Sequence, residues 1–341
     1  MYPGDLAVSR FGATILGCDG LRLSGEEKAF FRDVRPFGFI LFARNIESAD
    51  QVRALCDELR ACVGYDAPIL IDQEGGRVQR LRAPLATEWT PPLEFVEAAG
   101  EAAVRAMYLR YRITAHELMA VGVDANCAPL VDVACAETHP FLKNRCYGMT
   151  AETVAALGRA VADGMADGGV YSVLKHIPGH GRAQSDSHLD LPRVNAPAED
   201  LLQDFAPFKA LNDLPMGMTA HIVYEALDDA PATTSPKVMG MIRADIGFDG
   251  LIMTDDISMK ALSGPLADRA RQSIAAGCDV ILHCNGDLGE MREVAEAAGD
   301  MTGAAERRAE AVLKARPMPQ TVDIAALTAE LEALVSGREN G

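Results

Sequence analysis

At 341 residues, 49% of them apolar, the chain can bury a large core and is long enough for one barrel or two ordinary domains. Its 32 Lys and Arg stand against 49 Asp and Glu, and the net charge of -17 disfavours attraction to nucleic acid or to an anionic membrane. Eight Cys with no Cys-x-x-Cys pair, in a chain too large to need staples, read as reduced and mostly buried, which points to a cytosolic protein.

The start of the chain carries Asp5 and Arg10 but no basic segment followed by an apolar run and a cleavage site, so no signal peptide is expected. No apolar stretch approaches the roughly 18 residues of a membrane span. Strand-like and helix-like segments then alternate. Residues 12–17 read as a first strand, and Ser24 with Glu26 and Glu27 opens a short helix as an N-cap followed by acidic residues. A second strand is expected at 38–42. A helix over 50–63 follows, with Val52, Leu55, Cys56, Leu59 and Val63 on one stripe. Residues 68–71 make the third strand, which runs into Asp72-Gln73-Glu74-Gly75-Gly76-Arg77.

The repeat of Val104, Met107, Tyr108, Tyr111, Ala115 and Leu118 predicts one long helix from about residue 94 to 121. Residues 124–133 are the fourth strand region, and Thr150 caps a helix to Asp167. Val170-Tyr171-Ser172-Val173-Leu174, bounded by Gly168-Gly169, is the fifth strand. The sixth, seventh and eighth fall at 216–221, 250–256 and 279–284. Helical patterns near 306–314 and 324–335 read as terminal helices.

Eight short buried strands separated by helices predict an α/β fold, a single-domain (β/α)8 barrel over 1–341, with its core at about 12–300 and the helices of about 301–336 packed on it. The competing architecture, a doubly wound sheet, calls for a G-x-G-x-x-G loop that the sequence lacks. In the barrel, Asp72, Arg145, Lys175, His176, His221 and Asp255, each at or just after a strand's carboxyl end, come to one face.

The stretch from Lys175 to Pro192 holds three His, a Lys, an Arg and two Asp, and Pro178, Gly179 and Gly181 keep it from being a helix. His176 and His180 are four apart, but Pro178-Gly179 between them rules out a shared helical face of the zinc-binding kind. The two glycines instead suggest a tight turn. Asp186 and His188 are close enough for the carboxylate to orient the ring; a solvated polar loop is the plainer reading. Lys175 after a buried strand calls for an acidic partner, and Arg77, Arg80 and Arg82 lie near Asp72 in a candidate network. For Asp255-Asp256 the residues leave two readings: one carboxylate faces the pocket while the other holds the loop, or both cap a helix near Ser258.

Ile71-Asp72-Gln73-Glu74-Gly75-Gly76-Arg77-Val78-Gln79-Arg80, Lys175-His176-Ile177-Pro178-Gly179-His180-Gly181, Asp186-Ser187-His188 and the segment from Gly247 to Met259 together resemble glycoside hydrolase family 3. Within it they are similar to the cytoplasmic bacterial β-N-acetylhexosaminidases of peptidoglycan recycling, in order from about Gly12 to Asn285. Met241-Ile242-Arg243-Ala244-Asp245 followed by Gly250-Leu251-Ile252-Met253-Thr254-Asp255 fits the family's nucleophile signature position by position, which implies Asp255 rather than Asp256 as nucleophile. The resemblance implies His188 as general acid/base, Asp186 as the residue orienting it, and Asp72, Arg80, Arg145, Lys175 and His176 as sugar-binding residues. Family members usually carry Ser where Cys146 stands.

It further implies a retaining mechanism acting on a small-molecule carbohydrate, terminal β-linked N-acetylglucosamine on muropeptide or anhydro-disaccharide fragments, with no metal or organic cofactor. Neither nucleic acid nor membrane is an expected partner, and the protein is expected as a monomer or weak homo-oligomer. The alternatives are a β-glucosidase, for which the usual second domain has no room here, a phosphorylase, and a sugar-binding protein without turnover.

Overall fold

The computed structural model describes residues 9–184 and 190–336. The expected strands form as β1 (Gly12–Leu16), β2 (Pro36–Leu41), β3 (Ile69–Ile71), β4 (Ala125–Asn126), β5 (Tyr171–Ile177), β6 (Met216–Thr219), β7 (Leu251–Met253) and β8 (Ile281–His283). Each pairs in parallel with the next, β8 returns to pair β1 with His283 opposite Leu16, and a parallel bridge between Met253 and Val280 joins β7 to β8. The ring is a (β/α)8 barrel, not an open doubly wound sheet. Strands of such a barrel are covered on both faces, which is why β1, β2 and β5 are buried along their whole length. Alternate residues divide between two surroundings: Ile15, Ile40, Leu70, Val173 and Met253 join one apolar cluster, and Leu16, Phe39, Ile71, Leu174 and Ile252 pack into the others.

The helices follow local signals. In α1 (Gly25–Val34), Ser24 and Glu27 form a reciprocal capping box. In α2 (Ala49–Val63), the Ser48 side chain accepts from the Gln51 N–H, and Val52, Leu55, Cys56, Leu59 and Cys62 are buried, with Cys62 filling the inner position expected for Val63. The long helix predicted from the apolar repeat is instead two, α3 (Pro92–Ala99) and α4 (Ala103–Ala120), separated by a turn at Gly100–Ala102. Gly100 has φ 53, a left-handed conformation that ends α3. The fourth strand region is also shorter than predicted, because Pro129 has no N–H to give to the ladder; contact with β5 continues irregularly as the Ala128 and Pro129 carbonyls accept from Val173 N at 2.9 Å and Lys175 N at 3.0 Å and Val131 N donates to Lys175 O at 2.9 Å.

Apart from a single helical turn at Pro140–Lys143, the remaining α-helices among the described residues are α5 (Ala151–Asp167), α6 (Ala198–Ala210), α7 (Pro236–Met241), α8 (Leu266–Ala276), α9 (Leu288–Ala298), α10 (Ala304–Lys314) and α11 (Ile324–Ser336). On α10, Arg308 bonds Asp249 and Asp279 at the amino end of the barrel, and Glu330 on α11 pairs with Arg105 of α4. Among the described residues no helix is long and apolar enough to cross a membrane. All eight cysteines are free, and six are buried.

Candidate active site

The carboxyl ends of the strands open on a cavity whose lining includes Asp72, Arg80, Arg145, Lys175, His176 and Asp255. Asp72 directly follows β3; its Oδ1 accepts from Lys175 Nζ at 3.1 Å and its Oδ2 from Arg80 Nη2 at 3.0 Å. Two residues on, Glu74 is 1% exposed. Its oxygens accept a fork from Arg145, Nε at 2.9 Å and Nη2 at 2.8 Å, and Lys175 Nζ lies 2.6 Å away. Lys175 therefore stands between two carboxylates, each of which has an arginine on its other side.

Burial alone would neutralise these groups, and their neighbours more than offset it. Against burial, Lys175 and Arg80 hold the Asp72 carboxyl well below the usual range, and Arg145 with Lys175 hold Glu74 down at about 2. Burial would likewise lower Lys175 and Arg145, yet the adjoining carboxylates keep both raised. The network is ionised across the physiological range and presents oriented donors and acceptors to the cavity.

A second group centres on Asp132, which is fully buried after β4. Its Oδ2 lies 2.8 Å from His176 Nδ1 and its Oδ1 accepts from the His180 backbone N–H at 2.6 Å. This fixes the His176 ring with Nε2 4.0 Å from Asp255 Oδ2. Asp255 accepts from the Asp256 N–H at 2.8 Å. Burial would raise its carboxyl, but the nearby His176 and His221 imidazoles and the Asp256 N–H bring it below the usual range, so it is a carboxylate.

Asp256 plays a different part, accepting from Ser258 Oγ at 2.7 Å and from the Cys284 N–H at 3.3 Å and so holding the loop after β7. The next helix, α8, begins only at Leu266, so the helix-capping reading of the Asp pair falls away. His221, which follows β6, comes to the same face as expected but lies buried beneath that loop and does not line the cavity, its Nε2 donating to the Asp256 carbonyl at 3.1 Å and its Nδ1 2.7 Å from Thr233 Oγ1.

Of the residues singled out in the sequence, Asp72, Arg80, Arg145, Lys175, His176 and Asp255 come together. Asp186 and His188 lie outside the described residues. Arg82 does not join the network; it pairs with Glu88 at 2.7 Å on the surface. Glu74 and Asp132 are the residues that sequence reasoning missed. The signal for Glu74 was its spacing from Asp72, since residues two apart in extended chain share a side. For Asp132 it was a lone carboxylate closing the apolar run Ala128-Pro129-Leu130-Val131, which needs a buried partner. Cys146 is fully buried, and its thiol faces the Leu142 carbonyl at 3.5 Å.

Residues 10–314 match the glycosyl hydrolase family 3 N terminal domain. The chain belongs to glycoside hydrolase family 3. It is therefore a glycoside hydrolase. A β-hexosaminidase of Alkalilimnicola ehrlichii is 40% identical over 283 residues, which are 80% of this chain and 81% of that protein. The structure of NagZ from Neisseria gonorrhoeae in complex with N-trifluoroacetyl-D-glucosamine superposes with a TM-score of 0.80 at 31% identity, covering 96% of this chain and 99% of that one. A family 3 β-N-acetylglucosaminidase from Paenibacillus gives a TM-score of 0.84 at 29% identity, covering 96% of this chain and 68% of the other. As in any barrel of this kind, the family 3 pocket lies where loops after several strands meet.

Proposed function

We propose that the protein is a retaining exo-β-N-acetylhexosaminidase that removes terminal, non-reducing, β-linked N-acetylglucosamine, with Asp255 as nucleophile, His188 as general acid/base and Asp186 orienting His188. The observation that carries the reading is the ionised Asp255 carboxylate lining the cavity beside the fixed Asp72-Lys175-Glu74-Arg145 network. An Asp255 oxygen attacks the anomeric carbon as the bond to the leaving oxygen breaks, and His188 gives that oxygen its proton. The same imidazole then takes a proton from water, whose oxygen displaces the carboxylate and restores the original configuration. Asp72 accepts from sugar hydroxyls, while Arg80, Arg145, Lys175 and His176 donate to them. This binding accelerates the reaction only where it tightens in the oxocarbenium-like transition state.

The names borne by the Alkalilimnicola, gonococcal and Paenibacillus relatives support the N-acetylhexosamine specificity. Muropeptide and anhydro-disaccharide fragments as substrates follow from the family resemblance, and a cytoplasmic site of action agrees with eight free cysteines.

The test is hydrolysis of an aryl N-acetyl-β-glucosaminide beside the matching β-glucoside, with the anomeric configuration of the first product followed by NMR. Turnover of the N-acetyl substrate with retention, reduced at least about a thousandfold in Asp255→Ala, is the expected outcome. Preference for the glucoside, inversion, or a sugar phosphate as the main product when phosphate is added would each overturn it.

A further inference from the structure

His180 lines the cavity with Arg145, His176 and Asp255, yet neither the ion network nor the displacement at the anomeric carbon uses it. It is 7% exposed. Its position is set by the backbone: His180 N donates to Asp132 Oδ1, Gly179 before it has φ 143, and a Cβ on Gly181 after it would lie 1.8 Å from the Val133 carbonyl oxygen. Tyr224 donates to the Gly179 carbonyl. A turn tied down at both glycines leaves the ring little freedom.

The two ring nitrogens are not equivalent. Nδ1 is buried and has no hydrogen-bond partner among the described residues. A buried N–H without an acceptor is rarer and costs more than an unused lone pair, so a neutral ring carries its proton on Nε2. The ring is neutral, because burial, reinforced by the adjacent His176, pushes its pKa down to about 4. The cations around it are already committed, Lys175 to Asp72 and Glu74, Arg145 to Glu74, Arg80 to Asp72. A neutral donor also suits this place: a further cation here would compete for the Asp255 carboxylate, whereas an uncharged N–H selects a sugar oxygen by direction alone.

We propose that His180 is a further sugar-binding residue, donating from Nε2 to an oxygen of the bound terminal sugar. This rests on the reading that the cavity holds that sugar. The geometry also gives the test its discrimination, since a glutamine amide nitrogen reaches roughly where Nε2 lies and an asparagine amide nitrogen only where Nδ1 lies.

His180→Ala, His180→Asn and His180→Gln are compared with wild type for KM on the aryl N-acetyl-β-glucosaminide and for inhibition by free N-acetylglucosamine. Loss of one neutral hydrogen bond weakens both by about tenfold in the Ala and Asn variants. The Gln variant recovers most of it. Equal behaviour of Gln and Asn, or an unchanged Ala variant, overturns the assignment. Should the Ala variant fail to fold, the Gln-against-Asn contrast decides alone. If wild type turns over only the β-glucoside, the proposed specificity fails while the same ordering on that substrate still upholds His180. Calorimetric binding of free N-acetylglucosamine and glucose reads the ordering without turnover.

Discussion

Buried carboxylates sit at both ends of the barrel, and they are completed differently. At the amino ends of the strands, Asp279 accepts from the Ile252 N–H at 2.8 Å, Arg243 at 2.7 Å and Arg308 at 3.1 Å. Asp124 takes the Ile69 N–H at 2.8 Å, Arg60 at 3.0 Å and Arg316. Both oxygens of each are occupied by backbone and guanidinium groups, and the carboxylate acts as a rivet between strand and helix. At the carboxyl ends, Asp72 and Glu74 also have both oxygens occupied, but by a lysine they share and by arginines that line the cavity, and among the described residues Asp255 receives one backbone N–H with an imidazole at 4.0 Å. The same residue types therefore build a fastening at one end and a charged lining that faces the cavity at the other. What separates them is which end of a parallel strand they occupy.

The sharpest way to break that contrast is to damage each end in turn. Lys175→Met leaves Asp72 and Glu74 buried without their shared cation, and is expected to cost about 3–5 kcal/mol of stability together with at least a hundredfold, roughly, in kcat/KM. Asp279→Asn keeps an oxygen for Ile252 but gives up the charge facing Arg243 and Arg308. We expect a loss of about 1–3 kcal/mol, with kcat and KM within about twofold of wild type. Urea unfolding and steady-state kinetics on both variants check this. An Asp279→Asn protein that is stable but catalytically impaired would erase the distinction between the two ends.

Much of the contrast was already legible in the sequence. The barrel announced itself because most of the strands are apolar runs closed by polar residues, and Asp72, Lys175 and Asp255 stand just where those runs stop. Glu74 and Asp132 were harder. Each is a carboxylate whose value comes from a cation or ring far away in sequence, Arg145 for one and His176 for the other. The break at Gly100 was masked for another reason: apolar periodicity continues through α3 and α4, and only the left-handed glycine divides them. Periodicity reports which face is buried, not whether the backbone is continuous.

Acid should separate the two ends more gently. Asp72, Glu74, Asp132 and Asp255 all have lowered carboxyl pKa values in the folded protein. The unfolded chain therefore binds protons that the folded chain refuses, so the stabilisation is complete above the ordinary carboxylate range and lost as pH falls from about 4 towards 2. Glu74 alone, displaced from 4.5 to about 2, contributes on the order of 3 kcal/mol. Asp204, raised by burial, acts in the opposite sense, and a difference measurement cancels it. Comparing urea unfolding at about pH 6 and about pH 3, the loss in wild type should exceed that in Lys175→Met, where Asp72 and Glu74 no longer have their shared cation. Equal losses would disconnect the acid sensitivity from the pocket.

The smallest effect belongs to Cys146, which adjoins Arg145 and stands where the family resemblance leads one to expect serine. If the residue after the arginine set the position of the guanidinium, Cys146→Ser would change sugar affinity. The contacts say otherwise. Glu74 grips Arg145 through both oxygens, while the Cys146 thiol, packed in the core, hydrogen-bonds to the Leu142 carbonyl, 3.5 Å away. A serine hydroxyl is a better donor to that carbonyl but is smaller and costs more to bury, so the two changes nearly cancel, within about 1 kcal/mol. KM on the aryl glycoside should stay within about twofold of wild type, while Glu74→Gln, which weakens the grip on Arg145 without shortening the side chain, should raise it by about tenfold or more. A Cys146→Ser variant with the larger shift of the two would move control of the arginine from the carboxylate across the pocket to the turn that carries it.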